Sequence, residues 1–322
     1  RKTYLEQWNN LSLDPTSPQY IAKVIGDQVY NLRDSGTTSP YLQVSGSYPN
    51  KSKYVRVEVI KSTYNYLDAN GNIRLGSATG SLPAPVSGTF AGGSDGNVTH
   101  PQQFYNEIES GNSQGYNVGS AADGKTAYED AINLLSNQDE YDINILALPG
   151  LLNNAGASEA SILAKAVQMC EDRGDCFVVA DPTIYGSSLT EATTQAESYD
   201  SSYAAMYYPW LQVYDSAVGN YVWVPPSTLL PGVYAFNDQV AAEWFAPAGL
   251  NRGGLETVVQ AERKLTHANR DTLYDGNINP IATFPNSGVV VYGQKTLQRK
   301  ASALDRINVR RLLIAAKKFI AS

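Results

Sequence analysis

Asn144-Ile145-Leu146-Ala147-Leu148 and Cys176-Phe177-Val178-Val179-Ala180-Asp181 are two short apolar runs of strand length. Between them, Ser158 to Arg173 carries apolar residues at helical spacing. A buried strand, a helix and a second buried strand in that order form a β-α-β unit, whose two strands must run parallel. The expectation is therefore strands at Ile143 to Leu148 and Cys176 to Ala180, with helices at Ala127 to Leu135 and Ser158 to Arg173 covering the sheet.

Toward the C-terminus, Tyr203 to Val213 and Tyr221 to Val224 are aromatic and branched segments joined by the polar turn Asp215 to Asn220. They predict a β-hairpin on that same sheet. Ala235 to Phe245 predicts a helix stopped by Pro247, and Val289 to Tyr292 a strand. Val309 to Ile320 predicts an amphipathic helix with Leu312, Leu313, Ala316 and Ile320 on its apolar side. Toward the N-terminus, Pro18 suits the first turn of a short helix over Ser17 to Ile25. Alternation over Tyr54 to Tyr66, with Asn70-Gly71 behind it, predicts a second hairpin. Gly, Ser, Pro and Asn dominate the loop-rich segment 67–119, interrupted by a short helix near Pro101 to Ile108. The fold class is α/β: a mixed, partly parallel sheet with flanking helices, a β-hairpin and long loops. One domain is expected over 1–305, with 306–322 beginning a C-terminal assembly region.

The 322 residues are 43% hydrophobic, enough for a sizeable core, and the net charge of -7 disfavours a direct nucleic-acid partner. No stretch approaches the roughly 18 consecutive apolar residues of a membrane span, so no membrane insertion is expected. The two cysteines, Cys170 and Cys176, fit neither a redox nor a zinc spacing and read as structural. Twenty-two tyrosines against seven phenylalanines suit extensive subunit contacts. The chain opens on Arg1 and ends directly after a helical pattern, which reads as an excised fragment.

One motif points to nucleotide chemistry. Gly119 to Thr126 matches the phosphate-binding P-loop pattern and runs into a helix, where Lys125 would reach phosphate oxygens and Thr126 would hold magnesium. Asp181, at the end of an apolar strand, would be a second magnesium ligand. A P-loop NTPase using Lys125, Thr126 and Asp181 is thus a second reading. Against it, Ser110 to Val118 lacks the buried strand that anchors such a loop, and Asp181 precedes Pro182, where a strand ends anyway. His100 and His267 fit no metal or triad spacing, so no catalytic residue, cofactor or metal is expected. Arg173-Gly174-Asp175 reads as a helix C-cap. Trp210 and Trp223 would be stacking platforms in a glycan-binding module, although their apolar context favours core packing.

Eight basic residues and one acidic residue lie between Lys295 and Lys318. Arg299, Lys300, Arg306, Arg310, Arg311, Lys317 and Lys318 are candidate contacts to an acidic neighbouring subunit or tube; a solvated basic helix face is the alternative.

Several segments, in order, resemble contractile tail sheath proteins of tailed bacteriophages. They are Phe90 to Gly96, Asn144 to Gly150, Asp172 to Pro182, Ser202 to Trp210, Val222 to Ser227, Ala246 to Gly249 and Ile307 to Leu312, with Leu11 to Val29 earlier. The resemblance implies a structural subunit of the virion tail, assembled in the host cytoplasm. It would form helically stacked hexameric rings around a tail tube, trigger from a baseplate, and contract to drive the tube through the host envelope for genome ejection. It also implies terminal arms that augment a neighbour's sheet. Those arms look absent here, and this fragment is expected to be monomeric. No catalytic role comes with the resemblance, and Lys125 and Thr126 inherit none.

Overall fold

The computed structural model describes residues 4–59, 88, 100–105, 118, 123–216 and 219–321. They belong to two compact units, 1–35 with 40–94 and 36–39 with 95–322.

In the smaller unit, helix α1 (Ile21–Ile25) precedes antiparallel strands β1 (Val29–Arg33) and β2 (Tyr41–Ser45). The helix expected from Ser17 begins only at Ile21. Ser12 donates its N–H to the Gln19 carbonyl and accepts from the Ile21 N–H, both at 2.8 Å, and a helix through 17–20 would break that bridge. Tyr54 to Val59 form no regular strand; Val57 instead donates its N–H to the Gly26 carbonyl at 2.8 Å. The rest of that predicted hairpin and most of the loop-rich segment lie outside the described residues.

The larger unit is built on a five-stranded sheet in the order β10-β9-β5-β4-β3. Its strands are β3 (Ile145–Leu152), β4 (Phe177–Asp181), β5 (Ala204–Tyr208), β9 (Ile278–Phe284) and β10 (Gly288–Val291). The first four run parallel and β10 is antiparallel to β9, so the sheet is mixed, as the β-α-β reading requires. Every residue of β4 and β5 is buried, because both faces of the sheet are covered. On one face, Val178, Ala180, Met206 and Ile278 pack against α2 (Asp123–Leu135), α3 (Ala157–Arg173), α4 (Leu189–Glu197) and α6 (His267–Asp275). On the other, Phe177, Val179, Ala205, Tyr207 and Ile281 meet α5 (Leu230–Val240), α7 (Ile307–Ala321) and a second sheet.

That second sheet corrects one expectation. The segment Tyr203 to Val213 is not a single strand. It divides at Pro209, which has no N–H to give to a ladder, into β5 of the main sheet and β6 (Leu211–Asp215). β6 pairs antiparallel with β7 (Asn220–Val224) and with β8 (Val258–Ala261) in a sheet of their own. The hairpin exists, but it lies over the main sheet rather than in it.

Short polar signals set two further helices. Ser188 and Thr266 open α4 and α6 with reciprocal capping boxes to Glu191 and Asn269. From the predicted helix near Pro101, a single 3-10 turn over Pro101–Phe104 is described. The helix predicted at Ala235 to Phe245 runs instead as α5 and ends at Val240; Pro231 occupies its first turn, where its missing N–H is no loss. Helix α7 turns the predicted apolar side outward. Leu312 is 41% and Ile320 is 83% exposed, Leu313 is also exposed, and the buried positions are Ile307, Arg310, Arg311 and Ile314.

Candidate assembly surface

Of the Walker-like stretch 119–126, the described residues are those from Asp123 onward. Gly124, Lys125 and Thr126 already belong to the first turn of α2, and Lys125 lies 3.9 Å from Glu129, one turn on. Asp181 is fully buried and spent on the fold. Its Oδ1 accepts the Ser227 N–H at 2.9 Å and its Oδ2 accepts the Ser227 hydroxyl at 2.5 Å, tying the end of β4 to the 3-10 turn Pro226–Thr228. Desolvation, opposed only partly by those hydrogen bonds, pushes the Asp181 carboxyl up to about 7. Among the described residues no three His, Cys, Asp or Glu side chains lie close enough to hold a metal ion. Trp210 is no stacking platform either, since it is buried and its indole N–H donates to the Thr183 carbonyl at 2.9 Å.

The basic segment separates into inward and outward members. Arg311 is 1% exposed: its guanidinium donates to both oxygens of Asp238, at 2.8 and 2.5 Å, and lies 5.0 Å from the Tyr234 ring centroid. Beneath it the Tyr234 and Tyr207 hydroxyls share a hydrogen bond of 2.5 Å. Arg310 is 7% exposed, 4.0 Å from the Tyr203 ring centroid, and donates to the Ser202 hydroxyl. Lys317 donates to the Arg173 carbonyl, and Lys318 reaches Asp142 at 2.5 Å and the Ile143 carbonyl at 2.7 Å. The last turns of α7 are thereby pinned to the entry of β3 and the end of α3. Arg306 is half-buried beside Asp305, at 3.7 Å, and beside the Tyr274 ring. Arg299 and Lys300 are exposed, and the Arg299 backbone N–H donates to Asp200 at 2.8 Å.

An apolar surface adjoins α7 that periodicity did not indicate. Val240 at the end of α5, Trp244 and Phe245 after it, and Leu312 and Leu313 on α7 are exposed. Contacts of Arg311 with Asp238 and the Glu243 carbonyl, and of the Asn308 amide with the Trp244 carbonyl, bring the two helices together there. The available signal was Leu312-Leu313 placed directly after Arg310-Arg311: if the arginines turn inward, the leucines must turn outward. On the second sheet, Tyr214 and Tyr221 form an exposed edge-on pair with ring centroids 5.2 Å apart. Exposed apolar and aromatic surface of this kind is a candidate for contact with other protein surface.

A family described as phage tail sheath protein central domain matches residues 124–297. The tail sheath protein of Vibrio phage KVP40 is 31% identical over 234 residues, covering 64% of this chain and 34% of that protein. The tail sheath protein of Salmonella phage ViI is 33% identical over 209 residues, covering 59% of this chain and 33% of that protein. The chain thus spans about a third of the length of the curated relatives it matches. Among solved structures, the helical sheath of the anti-feeding prophage in its contracted state aligns at a TM-score of 0.49 and 26% identity, covering 70% of this chain and 59% of that one.

Proposed function

This chain belongs to the phage tail sheath family, and on that premise we propose that it is part of a contractile sheath subunit, packing in rings around a tail tube. The observation that carries this reading is the family match over 124–297, which runs from the start of α2 past β10 and so covers the main sheet and its flanking elements other than α7. The role is structural. The strongly shifted carboxylate Asp181 is consumed in a strand-to-turn tie, and the exposed apolar patches suit subunit packing.

Contraction requires two packings of one rigid subunit, separated by a barrier and released from one end, so that packing free energy replaces nucleotide hydrolysis. A domain buried on both faces of its sheet suits that work, because it moves as a body while its contacts change. The partners are other copies of the subunit, the baseplate and the tail tube, and assembly precedes release from the host cell. Within the basic segment, Arg299 and Lys300 are the outward charges and the candidates for contact with an acidic neighbour or tube, whereas Arg310 and Arg311 serve the fold.

The test is charge reversal in the full-length protein. Arg299→Glu with Lys300→Glu lowers the fraction of protein that co-sediments with purified tail tubes about tenfold, consistent with the loss of roughly 1.4 kcal/mol of contact energy, and leaves the thermal midpoint unchanged. Co-sedimentation equal to that of the unaltered protein, at low and high salt alike, removes these two residues from the contact.

A further inference from the structure

The only two cysteines of the chain meet in the core. Cys170 lies in the last turn of α3 and Cys176 immediately before β4. Gly174 between them, in the left-handed conformation at φ 69°, reverses the chain as the helix cap. The reversal sets the two sulfur atoms in direct contact at 2.9 Å, and both residues are fully buried in the helix-side cluster. Around the same corner, Arg173 pairs with Asp175 at 2.8 Å and Lys317 donates to the Arg173 carbonyl, so both ends of the turn are held in place. Two thiols fixed in contact by a capped turn are arranged for bond formation. With no third cysteine, no competing pairing exists within the chain.

We propose that Cys170 and Cys176 are a modification site, closing as an intramolecular disulfide when the chain folds in the presence of a disulfide oxidant such as glutathione disulfide. The Cys176 thiolate, its proton lost to water, attacks one sulfur of glutathione disulfide; that bond breaks, and one glutathione leaves as thiolate and is protonated. Cys170 then loses its proton and attacks the Cys176 sulfur of the mixed disulfide, expelling the second glutathione. The cysteine pair is oxidised by two electrons and one glutathione disulfide is reduced to two thiols. Because both cysteines are closed off in the folded chain, the exchange belongs to folding, before the core shuts, and the finished bond resists reductants that cannot enter. The inference concerns this corner alone and does not depend on the assembly role.

The chain is unfolded and refolded in a mixture of reduced and oxidised glutathione, then denatured and treated with N-ethylmaleimide, and its intact mass is measured. The expected product carries no maleimide and is lighter than the reduced chain by two hydrogen atoms. Prior treatment with dithiothreitol restores two maleimide additions, and Cys176→Ser abolishes the internal bond. Two maleimide additions without prior reduction, or a glutathione adduct that persists on either cysteine, overturns the proposal.

Discussion

At Arg311 a cation has been taken out of water, and what makes that tolerable is Asp238, which remains 28% exposed and meets both ends of the guanidinium. Removing the carboxylate alone strands the charge. Asp238→Ala is expected to cost about 3 kcal/mol in urea unfolding, while Asp238→Ala with Arg311→Met recovers at least half of that; equal losses in the two variants would contradict the account. Asp181 gives a pH signature. Its carboxyl titrates near 7 in the fold and near 3.8 in the unfolded chain, so it contributes stability at low pH that is lost as pH rises through 7. Asparagine imitates the protonated acid, accepting the Ser227 N–H and donating to the hydroxyl. Relative to the unaltered protein, Asp181→Asn is therefore expected to gain about 4 kcal/mol between acid and mildly alkaline conditions, read from urea midpoints. Parallel pH profiles would show that Asp181 is not held protonated. Neither role was legible in the sequence. A cluster of basic residues reads as solvated, and the partner that draws Arg311 inward lies in another helix far along the chain.

Among the elements, the strands and helices with long apolar signals were legible: α3 starts one residue before its predicted boundary, and β4 is displaced by one residue. Helix α4 was not. Its buried residues are only Ala192 and Ala196, too small to give a periodic apolar signal, and the helix is marked instead by its cap. Ser188 accepts the Glu191 N–H at 3.2 Å while its own N–H donates to the Glu191 carboxylate at 2.6 Å. Ser188→Ala is expected to lower stability by about 1 kcal/mol in chemical denaturation; an unchanged midpoint would mean that packing alone sets this helix. The β6 and β7 hairpin was legible as a hairpin but not as a separate sheet, because a pattern of alternation specifies a buried face without naming the surface that buries it. The apolar side of α7 failed for the opposite reason: arginine stems pack as well as leucine when their heads find partners.

For the molecule as a whole, the mixed α/β sheet followed from the β-α-β order, and the family followed from the series of short motifs, whereas the candidate assembly surface follows only from the packing. Arg310 and Arg311 turn inward while Leu312, Leu313 and Trp244 remain exposed. If subunit packing supplies the working energy, as proposed, assembly proceeds with no nucleotide and ignores the Walker-like lysine. The direct test is negative-stain electron microscopy of the full-length protein expressed alone, without ATP, together with its Lys125→Ala variant. Hollow helical tubes from both proteins are the predicted result. Dispersed particles from the unaltered protein, or tubes that require ATP and disappear with Lys125→Ala, would contradict the sheath account.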